Sequence, residues 1–135
     1  MVNADDRYFN VEETRSLITS RDNKKAPGID GITGEVYKSV FEIFPKYLTA
    51  MYNGCLIRGI FPKRWKTANM IPIVKPEKEN RDDASKFRPI SLLNLGGKVL
   101  EKLVINRINH QIYPHVLMSG NQYGFVPQKA PRTLL

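Results

Sequence analysis

The sequence is poor in the residues that build disulfides and metal centres. Its 135 residues include one cysteine, Cys55, so no disulfide can form within the chain. This suits a reducing compartment, and we expect an intracellular protein of the nucleus or cytoplasm. With only two histidines, His110 and His115, beside the single thiol, a zinc site is excluded. We expect this chain to bind no metal ion and no cofactor by itself.

Long apolar runs are also missing. The longest are far too short to cross a bilayer, and the first residues, MVNADDRYFNVEE, are acidic and polar, unlike a signal peptide. We therefore expect neither a secretory leader nor a membrane span. The hydrophobic share of 41% and the charged share of 25% are ordinary for a globular protein. A chain of this length favours one domain with a sizeable core.

Negative charge is scarce. The chain has 13 acidic residues against 21 lysines and arginines, which gives a net charge of +8. Such an excess favours polyanionic partners, nucleic acid first and an anionic membrane surface second. A soluble basic domain without such a partner is the alternative that charge alone leaves open.

Capping residues predict helices in the first part of the chain. Asn10, with Glu13 three residues later, has the pattern of a capping box and begins a short helix. Thr33 predicts the N-cap of a second helix over about residues 35–44. The apolar spacing of that helix predicts one buried face, formed by Val36, Val40, Phe41 and Phe44.

Breaker residues divide the middle of the chain. Pro45 opens a third helix and Gly59 ends it. Residues 68–74 predict a buried strand, in which Pro72 indicates an edge position or an irregularity. Residues 87–92 predict a second strand, and the polar connection between the two predicts a β-hairpin.

A long amphipathic helix is predicted from near Gly97 until Pro114. Helices flanking one β-hairpin predict an α+β fold. Because no alternating series of strands and helices is present, a doubly wound sheet is not expected.

Basic residues concentrate between positions 58 and 88. This window holds nine lysines and arginines against four acids, a net charge of +5. A hairpin could bring Lys75, at the end of the first strand, near Arg88 in the second, and two such cations can grip a phosphate. Pro89 holds Arg88 in an extended conformation and so gives its side chain a defined direction. A solvated hairpin with surface charges is the alternative that remains open.

Three further patterns each allow two interpretations. The APGIDGI segment, with Gly28 and Gly31, permits close approach of the backbone to a ligand, or is a plain turn between helices. Trp65, between two cations, could stack on a nucleobase or anchor its loop to the core. The Gly-Gly-Lys at 96–98 suggests a phosphate loop, but the other residues of that motif are absent.

Four stretches of the sequence point to one family. They are KKAPGIDGI, GIFPKRWKTANMIPIVKP, KFRPISLLNLGGKVLEKLVINRI and NQYGF, in this order. Together they resemble the N-terminal part of the reverse transcriptase, an RNA-directed DNA polymerase, of non-LTR retrotransposons, and more distantly that of group II introns. The resemblance predicts a reverse transcriptase domain over residues 1–129, followed by an atypical tail, APRTLL, at 130–135.

The resemblance implies the fingers and the start of the palm of a right-hand polymerase. It implies that Lys75 and Arg88 bind the triphosphate of an incoming deoxynucleotide. It further implies that template contacts come from Gly28, Ile29, Asp30, Gly31, Gln122, Tyr123, Gly124 and Phe125. The implied partners are an RNA template, a DNA primer and a deoxynucleoside triphosphate, without a membrane, and Mg²⁺ is implied for the full-length enzyme.

The sequence also departs from the family. The family's catalytic aspartates lie in the palm, in a first metal-binding motif and a later Tyr-x-Asp-Asp, and this sequence contains neither motif. Because two-metal phosphoryl transfer needs those carboxylates, we assign no catalytic residue and expect no polymerisation by the chain alone. Val126 stands where the family usually has an arginine, which indicates a truncation, a frameshift or an artificial boundary.

Two alternatives to a polymerase fragment remain open. One is a stand-alone basic nucleic-acid-binding module without catalysis. The other is a vestigial product without a function.

Overall fold

The computed structural model describes residues 8–76 and 84–111. Within these ranges the chain forms four α-helices and one two-stranded antiparallel sheet. The helices are α1 (Val11–Thr19), α2 (Gly34–Ile43), α3 (Pro45–Arg58) and α4 (Leu95–Gln111), and the strands are β1 (Ala68–Val74) and β2 (Phe87–Leu93). The prediction of an α+β fold with helices flanking a β-hairpin is confirmed.

The helix ends follow the predicted capping residues. The Asn10 side chain accepts a hydrogen bond from the Glu13 backbone N–H at 2.7 Å and begins α1. Thr33 caps α2 in the same way. Pro45 is the first residue of α3, and Gly59 ends that helix in the left-handed region with φ of 62°. Each of these residues satisfies or avoids an orphan backbone group at a helix end.

A hydrophobic core lies among the four helices. It comprises Phe9, Ile18, Tyr37, Phe41, Tyr52, Val99, Leu100 and Leu103, all less than 9% exposed. The buried hydroxyls of Tyr37 and Tyr52 hydrogen-bond to each other. Burial of the two rings raises the pKa of both phenols.

The predicted buried face of α2 is wrong in part. Phe41 is buried as expected, but Val36, Val40 and Phe44 are exposed. Tyr37 takes the inward position instead, one turn before Phe41 on the same stripe of the helix. Its hydroxyl has a partner in the core, so this polar ring can be buried without an unsatisfied group.

The hairpin pairs β1 and β2 in a register that places Pro72 opposite Pro89. The Lys75 N–H donates to the Lys86 carbonyl at 2.9 Å, which makes 75 and 86 a hydrogen-bonded pair. Because such pairs alternate along an antiparallel ladder, Pro72 and Pro89 fall at a non-hydrogen-bonded pair. Neither proline therefore removes a bond from the ladder, and Pro72 lies on an edge strand as predicted.

The prediction that β1 is buried is wrong. Six of its seven residues are exposed, including Met70, Ile71 and Ile73. A two-stranded sheet has two faces and two edges, and the middle of β2 is exposed as well, so most of this sheet is uncovered in the described ranges. Its apolar run therefore reflects β-propensity rather than burial.

Trp65 anchors a short 3-10 turn, Lys63–Lys66, onto the start of α4. A Cβ atom added to Gly96 would lie 2.7 Å from the Trp65 ring, and one added to Gly97 would lie 2.8 Å from the Trp65 Cβ. The indole also packs on the Tyr52 ring, with the ring centroids 6.0 Å apart. Of the two interpretations of this tryptophan, the structure favours anchoring, and the two glycines supply the space for it.

The chain divides into two compact units, Met1–Ile105 and Asn106–Leu135. All the core residues belong to the first unit.

The helix α4 begins at Leu95, two residues before the predicted start, while Pro114 lies outside the described residues. No helix in the described ranges is both long and apolar enough for a membrane span. The assignment of residues 1–129 to one reverse transcriptase domain, with a separate tail at 130–135, stays a prediction.

Candidate nucleic-acid interface

Lys75 and Arg88 lie on the same face of the hairpin. Arg88 is paired with Ile73, and Lys75 is two residues beyond Ile73 on the other strand. Side chains of directly opposed residues, and of residues two apart, point to one face of a sheet. Lys75 and Arg88 are thus diagonal neighbours, with Cα atoms roughly 7–8 Å apart.

The two cations differ in their surroundings. The Lys75 ammonium donates to the Ser85 carbonyl at 2.7 Å, which holds it over the start of the return strand. Arg88 is exposed and forms no ion pair with any described acidic residue. Lys75 therefore has a fixed direction, while the guanidinium is available to a ligand from solvent.

The predicted template loop forms a tight turn. The Gly31 N–H donates to the Gly28 carbonyl at 3.1 Å, and Gly31 has φ of 69°, in the region that favours glycine. The Asp30 carboxylate accepts the Ile32 N–H at 3.1 Å, an Asx turn that stiffens the loop. Ile29, at the tip, is 58% exposed and presents an apolar side chain to solvent.

Asn94 joins this loop to the rest of the fold. It is 5% exposed and stands between β2 and α4. Its side-chain carbonyl accepts the Asp30 N–H at 3.3 Å, and its amide donates to the Arg64 carbonyl at 3.3 Å. A Cβ atom added to Gly28 would lie 2.5 Å from the backbone nitrogen of Asn94, so only glycine fits there. One buried side chain thus fixes the loop, the 3-10 turn and the base of the hairpin.

An open cleft of about 280 Å³ lies beside the loop. Its walls are Ile29, Asp30, Arg64, Thr67 and Asn94. The cleft combines an exposed isoleucine, which can cover one face of a nucleobase, with a guanidinium suited to a phosphate or to a base edge. Arg64, Thr67 and Asn94 were not predicted as site residues. Arg64 belongs to the basic window recognised in the sequence, whereas no local signal indicates Asn94.

The structure does not bring the two predicted sites together. Arg88 is six residues along β2 from Asn94, which corresponds to roughly 20 Å of extended strand. The loop at 28–31 therefore lies at the base of the hairpin, while Lys75 and Arg88 lie at its far end. Gln122, Tyr123, Gly124 and Phe125 fall outside the described residues. The roles of all these residues stay predictions.

Comparisons with known proteins place the chain among mobile-element proteins. It is 36% identical over 107 residues, 79% of its length, to the retrovirus-related Pol polyprotein from type-1 retrotransposable element R1 of Bradysia coprophila. Over 115 residues, 85% of its length, it is 37% identical to the probable RNA-directed DNA polymerase from transposon BS of Drosophila melanogaster. Over 98 residues, 73% of its length, it is 37% identical to the RNA-directed DNA polymerase from mobile element jockey of the same fly.

The chain belongs to the family of non-LTR retrotransposon reverse transcriptases. No protein-family model matches it. It spans 11% of the R1 and jockey proteins and 13% of the BS protein, so it corresponds to a small part of each. The predicted resemblance to this reverse transcriptase family is confirmed.

Proposed function

We propose that the chain contributes the fingers, with the start of the palm, of a non-LTR retrotransposon reverse transcriptase. In this role it binds an RNA template, a DNA primer and the phosphates of an incoming deoxynucleoside triphosphate inside the cell, in the nucleus or cytoplasm. The observation that carries the proposal is the placement of Lys75 and Arg88 on one hairpin face, in a chain whose relatives are named RNA-directed DNA polymerases.

The two hairpin cations suit a triphosphate in different ways. A lysine ammonium has three donors, and the bond to Ser85 uses one, so two remain for phosphate oxygens. The Arg88 guanidinium offers a planar fork that matches two oxygens of one phosphate group. Charge-assisted hydrogen bonds of this kind are about twice as strong as neutral ones.

The loop at 28–31 is proposed to support the template strand. Its turn is held by internal hydrogen bonds and by Asn94, so the exposed side chain of Ile29 keeps a defined position. An ordered apolar side chain can cover a base without regard to sequence, as a general polymerase requires. The segment Gln122–Phe125 is proposed to contribute to the same contact.

No chemical step is assigned to this chain. Mg²⁺ is proposed for the full-length enzyme, but in residues 8–76 and 84–111 no three acidic, histidine or cysteine side chains lie close enough to hold a metal ion. The described residues therefore do not fit the catalytic ions. What they can do is bind and orient phosphates.

A double substitution tests the hairpin. Lys75→Gln with Arg88→Gln should weaken binding of a fluorescent deoxynucleoside triphosphate by about tenfold to a hundredfold, since each charge-assisted bond contributes about 1.5–3 kcal/mol before solvent screening. The charge-matched control is Lys46→Gln with Lys102→Gln, two exposed lysines on α3 and α4. Equal affinity of both variants for the triphosphate would show that Lys75 and Arg88 do not bind it.

A second candidate function is nucleic-acid binding without participation in catalysis. The observation in its favour is that the buried core formed by the described residues lies entirely within the unit Met1–Ile105. On this alternative the chain binds RNA with a salt-dependent affinity, and the hairpin double variant binds the triphosphate as well as the control does.

A further inference from the structure

We propose that a small basic cleft between the α1–α2 connection and the start of α4 binds a backbone phosphate of the nucleic-acid strand. This inference rests on the proposed function and extends it to residues outside the predicted sites. The cleft is lined by three cationic residues, Arg21, Lys25 and Lys98, which come from two segments distant in sequence.

The positive charge in the cleft is not balanced by nearby ion pairs. In the described ranges the ion pairs involve Arg15 with Glu12 and Glu42, and none involves the three cleft cations. One acid, Asp22, also lines the cleft, and its carboxylate accepts the Lys24 backbone N–H. Three cations against one carboxylate leave a net positive charge for an anion to neutralise.

The guanidinium of Arg21 is held in place by the fold. The Arg21 guanidinium donates to the Lys98 carbonyl at 2.9 Å, and the Arg21 carbonyl accepts from the Lys38 ammonium at 2.6 Å. Partial burial lowers the pKa of Lys98, and the nearby charges of Arg21 and Lys25 lower it further. The fold thus keeps like charges close together, an arrangement that a bound anion would relieve.

The size of the cleft selects the group that can enter. Its volume is about 30 Å³, enough for one or two atoms of water size and far too little for a nucleobase. A phosphate oxygen fits, with the rest of the group outside. Leu95, the first residue of the 17-residue helix α4, also lines the cleft, so the positive end of the helix dipole adds to the attraction.

The position of the cleft points to a strand rather than to a free ion. Gly28 lines this cleft while Ile29 and Asp30 line the larger cleft described above. On the other wall, Leu95 lines the small cleft and Asn94 the large one. The two clefts are therefore neighbours across the predicted template loop. A strand crossing that loop would place a base in the large cleft and a phosphate in the small one.

The test uses the full 135-residue chain and fluorescence anisotropy. The probes are a single-stranded RNA oligonucleotide and an abasic sugar-phosphate strand of equal length. The variant is Lys25→Gln with Lys98→Gln, and the charge-matched control is Lys46→Gln with Lys102→Gln. We expect the cleft variant to bind both strands about tenfold more weakly than the control. We also expect the slope of log K against log salt to be smaller in magnitude for the cleft variant than for the control, by about 0.7, the value for one phosphate contact on a single strand.

Each outcome decides the question. Equal affinities and equal salt slopes of the two variants would overturn the cleft proposal, because only total charge would matter. If the wild type binds neither strand, the proposed function fails as well. Competition by inorganic phosphate at the same concentration of phosphate groups would assign the cleft to free phosphate instead of a strand. Should the double variant fail to fold, Lys25→Gln alone gives the same comparison with Lys46→Gln, because Lys25 is exposed.

Discussion

Gly28 packs so closely against Asn94 that an alanine at this position should destabilise the fold. The added Cβ would lie 2.5 Å from the Asn94 nitrogen and 2.7 Å from its Cα, and it would also overlap the side-chain oxygen. Two of these three atoms are backbone at the junction of β2 and α4, so a rotamer change cannot relieve the clash. Either the loop or the base of the hairpin must move.

The size of the effect follows from three contributions. Overpacking costs about 1–3 kcal/mol. Displacement of the loop also breaks the bond from the Asp30 N–H to Asn94, a loss of about 1 kcal/mol. In the opposite direction, alanine lowers the conformational entropy of the unfolded chain and so stabilises the protein by about 0.4–1 kcal/mol. The expected change in the free energy of unfolding is a loss of about 2 kcal/mol, which lowers a urea midpoint by about 1 M.

Trp65 makes the measurement direct. It is the only tryptophan in the chain and packs on the start of α4, so its fluorescence reports unfolding of this junction. The control is Gly54→Ala in α3, where an added Cβ meets nothing within 4 Å. Removal of a helical glycine should stabilise that variant by about 1 kcal/mol. A Gly28→Ala midpoint equal to or above that of the wild type would refute the packing argument.

The remaining predictions concern the core. Tyr52→Phe leaves the buried Tyr37 hydroxyl without its partner, so urea unfolding should show a loss of about 1–3 kcal/mol, while Tyr47→Phe, 77% exposed, should change nothing measurable. Because the pKa of both Tyr37 and Tyr52 is raised in the folded state, the free energy of unfolding should be constant below pH 10 and fall as pH rises above 10. In Tyr52→Phe this fall should be less steep, and an unchanged steepness would contradict the argument. Gly96→Ala should displace the Trp65 ring, shift its emission and lower the urea midpoint; an unshifted spectrum would contradict the contact.

Signals between sequence neighbours predicted the helix ends well. Asn10 and Thr33 each accept a hydrogen bond from an N–H three residues later, so donor and acceptor are visible together in the sequence. Gly59 ends α3 because the left-handed conformation costs it little, and this too is a property of one residue. The sequence likewise indicated that a hairpin could bring Lys75 near Arg88, but their common face depends on the strand register, which only the structure supplies.

Choices that depend on distant partners could not be read from the chain. Most apolar positions on α2 are compatible with more than one buried face, and Tyr37 is buried because Tyr52, 15 residues away, offers it a hydroxyl. Asn94 binds groups 64 and 30 residues before it, and no periodicity indicates such a link. The apolar composition of β1 predicted burial, but burial depends on what packs against a strand and not on the strand alone.

The most direct test of the whole proposal is a primer-extension experiment that also measures binding. A fluorescent DNA primer annealed to an RNA template is titrated with the chain, and anisotropy reports complex formation. Deoxynucleoside triphosphates and Mg²⁺ are then added, and the primer length is read on a gel. We predict that the complex forms with a strong salt dependence and that the primer stays unextended, because the sequence lacks the family's aspartate motifs. An extended primer, or the absence of any complex, would contradict the account.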